Sequence, residues 1–431
     1  MRKQRDRKGP PNRVRAFLSK LGPGLITGAS DDDPSGIGTY SIAGAQFGYS
    51  PLWTAWFLFP LMASVQLMCA RLGMVSGRGL AGLLRERYGR WALWPSCLLL
   101  VANVVNIGAD LGAMASTAGT ITGVHPYFFT PLFAGTIVAL LACWSYHRIA
   151  RVLKWMTMVL FAYVIAAFRA HPNWSSVLHA TLVPHVESSA SYLNMFLALA
   201  GTTISPYLFF WQASQEVEED REKGKMTLAH RKGATDAETR DSRLDVMTGI
   251  LFSQLIMYFI ILTAGATLNV HGETHIATTQ QAAEALRPLA GNATYLLFTL
   301  GIIGTGMLSV PVLAGSTAFA IAEGAGWRNS LRYRPRQARA FYTVLAAALL
   351  LGMAMNYLGF QVVGMLFWAA VVNGLLAPPL LVLVVRLSSD PRVMGSRVRS
   401  PTLRAFGWLT VVVMGAAAVA MLITMHWGSG P

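Results

Sequence analysis

Three consecutive aspartates, Asp31, Asp32 and Asp33, stand in the middle of an otherwise apolar stretch and run directly into Pro34, Ser35 and Gly36. Carboxylates, hydroxyls and carbonyls released by a proline are hard oxygen donors, the ligand set of a hard divalent cation. A second apolar stretch carries Thr202, Thr203, Ser205, Pro206 and Tyr207 at its middle, again hydroxyls beside a proline. Asp110, in NIGADLGA, is an acid in a third such stretch. It reads either as a carboxylate that supports the site or carries a proton, or as a neutral acid hydrogen-bonded between helices. Asn373 in a tenth stretch lines a pathway or makes an interhelical hydrogen bond.

These residues are positioned by elements that cross a membrane. Of 431 residues 54% are hydrophobic and 13% charged, about half the charged fraction of a soluble domain. Apolar stretches near the roughly 20 residues a spanning helix needs recur at 21–47, 51–76, 91–119, 127–146, 149–169, 192–217, 243–268, 291–325, 338–356, 358–386 and 405–426. The expectation is an all-α polytopic membrane protein of eleven spans.

The net charge of +15 raises nucleic acid as a partner, but the distribution of the basic residues argues against it. Of the 35 Lys and Arg, 32 fall in 1–20, 77–90, 147–154, 215–243, 327–339 and 386–404, which eleven spans put on one side. The positive-inside rule then sets the N-terminus in the cytoplasm and the C-terminus outside, in a bacterial inner membrane. The first span is too long for a signal peptide and leads into more spans.

A charge at the bilayer centre costs roughly 2.5–3.5 kcal/mol, so Asp31 to Asp33 need a compensating partner. No Lys or Arg lies at mid-span, and a cation that comes and goes satisfies the arithmetic. The competing reading is capping: Asp31 or Asp32 would cap a helix restarting after the break, with Asp33, directly before proline, suited less. Glu323 falls near the cytoplasmic end of its span.

Pro34 and Pro206 are expected to unwind the first and sixth spans, five helices apart. Interrupted segments at corresponding positions mark an inverted-repeat transporter of the LeuT type. The repeats would occupy about 21–169 and 192–386 of a ten-helix core (21–386), after a basic cytoplasmic N-terminus (1–20) and before a cytoplasmic loop (387–404) and an eleventh helix (405–426). The alternative is that the two prolines are ordinary kinks.

Other motifs carry less. Cys69, Cys97 and Cys143 lack paired spacing and read as small buried hydrophobes. His271 and His275 of HGETH are four apart, but in a loop and not in HExxH order. Asn173-Trp174-Ser175 fits a glycosylation acceptor, a pattern without force in a bacterial chain.

The residues resemble the Nramp family of divalent metal transporters. LGPGLITGASDDDPSGIGTYSIAGAQFGY is similar to that family's first span, with its GP start, DPGN core and AGAxFGY close. CARLGMVSGRGLAGLLRERYGR resembles its second-span exit, ADLGA its TDLAE, and SSDPRVMGS its SDxxLMG. The resemblance covers nearly the whole chain and implies a LeuT-type fold with metal held between spans one and six, by Asp33, Asp32, Gly36, Thr202 and Ser205, with Asp31 as a further candidate. Pro34, Ser35, Pro206 and Tyr207 would shape the break and its cavity.

The departures fall on that site. Asp33-Pro34-Ser35-Gly36 stands at the family's DPGN, so the aspartate is kept and the asparagine is lost. Ser205, Pro206 and Tyr207 stand at its Met-Pro-His, and Ala113 at the glutamate of TDLAE. Losing a soft thioether for a hydroxyl favours harder ions, and Gly36 leaves room for an ion that keeps part of its water shell. The pattern resembles the Nramp-related magnesium transporters and implies uptake of Mg2+ and/or Mn2+, by uniport as readily as by proton symport. A proton-coupled Mn2+/Fe2+ symporter is the alternative. A LeuT-fold carrier of a small organic solute is a rival from another class, and three adjacent carboxylates would repel its anionic group. No motif for an enzyme lies in a span. The metal is cargo, no cofactor is expected, and the lipid bilayer is the other partner.

Overall fold

The computed structural model describes residues 22–143, 158–187, 189–287, 291, 294–398 and 401–427. The basic N-terminal segment 1–20, the basic run 147–154 and the start of the expected fifth span (149–157) lie outside them. The described residues form helices and no strand. The apolar stretches become α1 (Pro23–Asp31), α2 (Pro34–Phe47), α3 (Trp53–Ser76), α4 (Leu93–Thr122), α5 (Pro126–Cys143), α6 (Phe161–Arg169), α7 (Ala190–Thr203), α8 (Pro206–Glu222), α9 (Asp236–Thr267), α10 (Thr294–Ala325), α11 (Arg339–Met355), α12 (Val362–Ser388) and α13 (Pro401–Trp427). Among the described residues seven helical segments are long and apolar enough to cross a bilayer, α7 with α8 counting as one, and α5, α6 and α11 are shorter apolar helices. The chain is an integral membrane protein.

Both expected breaks are present, and proline alone does not make them. Pro60, Pro131, Pro311, Pro378 and Pro379 all sit inside continuous helices. What distinguishes Pro34 and Pro206 is that each is the first residue of a new helix after an extended residue, Asp33 (ψ 170°) or Ser205 (ψ 130°). Asp33 Oδ1 accepts from Gly36 N at 2.6 Å, so the cap of α2 is Asp33. This corrects the expectation that Asp31 or Asp32 suits the cap better: Asp31 ends α1, and Asp32 follows it outside the helix. At the second break the Ser205 hydroxyl turns backward, toward Thr202 O (2.7 Å) and Gly201 O (2.9 Å), serving carbonyls of the last turn of α7.

Helix α9 holds the first broken pair in place. Gly24 and Gly28, four apart on α1, let the backbones touch, and a Cβ on Gly24 would lie 2.5 Å from Val246 N. Asp245 of α9 accepts the free N–H groups of Gly22 (2.8 Å), Gly24 (2.6 Å) and Leu25 (3.0 Å) at the start of α1. Gly201 of α7 meets Gly374 of α12 in the same backbone-to-backbone manner.

The basic loops gather at one end of the bundle. Arg231 Nε donates to Gly77 O (3.2 Å), Arg221 Nη1 to Asn329 O (2.9 Å), Arg397 Nη2 to Ala234 O (2.8 Å), and Arg87 pairs with Asp390 at 3.4 Å. At the other end Ser116 meets Thr279 (3.0 Å) and Tyr357 donates to Tyr127 O (3.1 Å). Two helices between spans, Leu80–Tyr88 and Trp174–Leu182, were not expected. Asn173 caps the second through Ser175 N and Ser176 N, which is the local role of that tripeptide. Of the cysteines Cys69 is buried as expected, whereas Cys97 is exposed on the outside of the bundle.

Candidate functional site

The gaps in the two broken helices are built by different means and open onto one another through α2 and α7, which pack together. A Cβ placed on Gly36 would lie 3.2 Å from the Asp31 carbonyl oxygen, 3.4 Å from Asp33 Oδ1 and 3.4 Å from Thr202 Oγ1. One point in space is therefore surrounded by three oxygens of three kinds, from both broken helices. It exists because residue 36 has no side chain. Thr202 is 2% exposed and Asp33 3%, so these oxygens are withdrawn from bulk solvent.

The remaining aspartates face elsewhere. Ser253 of α9 lies within hydrogen-bond reach of Asp31 Oδ2 (2.6 Å) and Asp32 Oδ1 (3.3 Å), while Asp31 Oδ1 and Asp32 Oδ2 are buried without a hydrogen-bond partner. Asp31 reaches the Gly36 space with its carbonyl, and Asp32 supplies none of the three nearest atoms. Asp110 Oδ1 accepts from Ser35 N (3.2 Å) and its Oδ2 from Ser309 (3.0 Å), so this acid binds the first turn of α2. Tyr207, fully buried, donates to Ser30 O at 3.0 Å and satisfies a carbonyl of the last turn of α1. Asn373 is 2% exposed and its Oδ1 has no hydrogen-bond partner, so the interhelical bond allowed by sequence is not made through that oxygen.

The positions that sequence reasoning missed are the partners. Ser253 and Ser309 are serines in apolar helices, with nothing in their neighbourhood to mark them. A chain of polar contacts runs from Thr27 on α1 to Gln212 (2.7 Å), on to Glu216 (3.0 Å), and from there to Ser242 (3.0 Å) of α9. Glu323 has a local role: it accepts from Gly82 N (3.2 Å) at the start of helix Leu80–Tyr88 and from Ser214 (3.1 Å). Among the described residues no three His, Cys, Asp or Glu side chains converge as a metal-holding group, His271 and His275 included. A cation held at the point above Gly36 would meet the Asp33 carboxylate and two neutral oxygens as its three nearest atoms.

Two helices interrupted at equivalent places, with oxygen donors facing one another across the gaps, define a membrane transporter with the inverted-repeat fold. The solved manganese transporter of Eremococcus coleocola, crystallised with an aromatic bis-isothiourea compound, superposes with a TM-score of 0.72 at 18% identity, covering 98% of this chain and 90% of that one. Mhp1, a nucleobase-cation-symport-1 family transporter, has a TM-score of 0.58 at 14% identity over 94% of this chain and 92% of its own. The profile of the Nramp family, "Natural resistance-associated macrophage protein-like", matches residues 24–424. The chain belongs to the Nramp family. Among curated relatives, the divalent metal cation transporter MntH of Erwinia tasmaniensis is 25% identical over 417 residues, 94% of each chain. That of Agrobacterium fabrum is 27% identical over 424 residues, 95% of this chain and 88% of the relative. Both relatives are named as transporters.

Proposed function

We propose that the chain takes up divalent metal cations, Mg2+ and/or Mn2+, through a site at the two helix breaks. The reading rests on one observation: the point above Gly36 that faces Asp33 Oδ1, the Asp31 carbonyl and the Thr202 hydroxyl. Asp33 is the charged ligand. Thr202, the Asp31 carbonyl and water complete the shell, with Ser205 and Asp32 at its margin. An all-oxygen set without a thioether suits a hard ion, and Mg2+ is held by one or two carboxylates plus retained waters. The names of the relatives, MntH and manganese transporter, support a divalent cation as cargo.

An exit toward the basic end belongs to the same proposal. A cavity of about 290 Å3 beside Pro23 is lined by Glu216, Glu219, Asp220, Glu238, Asp241 and Asp245 against Lys223 and Lys225. Glu219, Asp220 and Glu238 pair with the two lysines, and six carboxylates against two lysines leave an acidic wall at the foot of α1 that favours a cation there. Eleven spans, N-terminus inside and C-terminus outside, in a bacterial inner membrane, complete the proposal.

Transport by uniport is supported by Tyr207 and Ala113, which leave two of the positions associated with a proton route in the family without a group that titrates near neutral pH. The proton-coupled alternative draws on Asp110, which binds the Ser35 N–H at the break. Flux into liposomes with Mg2+, Mn2+, Ca2+ and Cd2+, read together with an internal pH dye, separates the two. Metal entry without acidification is expected. Asp33→Asn is expected to stay folded in detergent and to abolish metal binding; normal transport by that variant would remove Asp33 from the site.

A further inference from the structure

Away from the helix breaks, a cavity of about 540 Å3 opens at the end of the bundle where the basic loops gather. Its wall carries Arg78, Arg85, Arg221, Arg231 and Arg328 against two carboxylates, Glu86 and Glu323. Neither carboxylate is free to neutralise the rest. Glu86 pairs with Arg78 at 3.3 Å, and Glu323 is turned to Gly82 N and Ser214. Arg231 is 8% exposed and spends its guanidinium on the carbonyls of Gly77 (3.2 Å), Met226 (2.7 Å) and Lys225 (3.3 Å). Arg221 bonds Glu218 and Asn329 O. The guanidiniums of Arg85 and Arg328 make no ion pair or hydrogen bond among the described residues.

The cavity thus concentrates positive charge with two uncommitted forks, in a chain whose transport site calls for the opposite sign. A concave wall of one sign focuses its field on the opposite ion, Arg85 and Arg328 reach it exposed to solvent, and a planar guanidinium matches phosphate oxygens in bidentate fashion. The positive-inside rule puts this wall on the cytoplasmic side, where basic pockets among spanning helices take acidic headgroups. We infer that this cavity binds a phosphate-bearing anion, held chiefly by Arg85 and Arg328. The elements it would join are helix Leu80–Tyr88, which carries Arg85, and the turn after α10, which carries Arg328, beside α8.

The shared chemistry comes from two sources, an anionic lipid headgroup or a soluble phosphate. The full chain in a neutral detergent is titrated calorimetrically with short-chain phosphatidylglycerol, with short-chain phosphatidylcholine as its zwitterionic control, and with inorganic phosphate. Saturable binding of phosphatidylglycerol but not phosphatidylcholine identifies the headgroup; saturable binding of inorganic phosphate identifies a soluble source. Either response should weaken at least tenfold in Arg85→Ala/Arg328→Ala and recover in part in Arg85→Lys/Arg328→Lys. Thermal unfolding and metal affinity of both variants should match wild type, since neither residue touches the helix breaks. Absence of saturable binding of either anion to wild type, or binding unchanged in the alanine variant, would overturn the inference. Metal transport by the wild type is read separately, so failure here leaves the transport assignment standing.

Discussion

Gly36→Ala tests the metal site most directly, because the structure gives both its energetic cost to folding and its effect on binding. Gly36 lies in the first turn of α2. Replacing glycine by alanine favours a helix interior by about 0.5–1 kcal/mol, an upper bound for this first-turn position. Against this, the new methyl meets the Asp31 carbonyl at 3.2 Å, a tight contact relieved by a shift of a few tenths of an ångström, while its 3.4 Å contacts to Asp33 Oδ1 and Thr202 Oγ1 are ordinary. The two effects nearly offset, so the unfolding transition in detergent should move little. The binding space fares differently. A methyl occupies roughly the volume share of one water, about 30 Å3, at the point where three oxygens would meet the ion or its retained water. Losses of that kind in a metal's surroundings reduce affinity by about 10–100-fold, on the order of 1.4–2.8 kcal/mol. Calorimetric titration of wild type and variant with Mg2+ and Mn2+, beside thermal unfolding, measures both quantities. An affinity for both ions within twofold of wild type, in a protein that unfolds normally, would refute the placement of the site above Gly36.

Ser205→Met supplies a soft ligand at the edge of the second break, so Cd2+ affinity should rise most and Mn2+ next relative to Mg2+; adding Gly36→Asn, which restores an amide oxygen, should strengthen the trend that Gly36→Ala cannot produce. Unmoved Cd2+ affinity in both variants would take Ser205 out of the site. Ser253→Ala removes the one hydroxyl shared by Asp31 and Asp32, and should lower stability by about 1–3 kcal/mol, visible as an earlier thermal transition in detergent; an unchanged transition would mean the two carboxylates are satisfied otherwise. Labels at residue 235 and at the C-terminus should react from opposite faces of the membrane in oriented vesicles, and reaction from one face would overturn the count of eleven spans.

The sequence by itself determined the membrane class, the apolar stretches and the positions of both breaks. Hydrophobic runs of spanning length have one physical solution in lipid, and DDDPSG and TISPY carry both a proline and residues suited to restart a helix. It also determined which residue types are at mid-depth, and hence that oxygen chemistry is concentrated there. Tertiary structure decided which oxygens face one another. Only the packing of α2 on α7 brings Thr202 to Gly36, and only the approach of α9 gives Asp31 and Asp32 a shared serine. Sequence reading ranks the capping aspartates in the wrong order although the signal is local: proline at the first position of a helix holds the residue before it in extended backbone, which makes Asp33 the cap of α2. Glu323 and Asp245 are hidden for a different reason. An acid that caps a helix more than 200 residues away leaves no periodicity or spacing to read, since the donors it satisfies come within reach only once the bundle has closed.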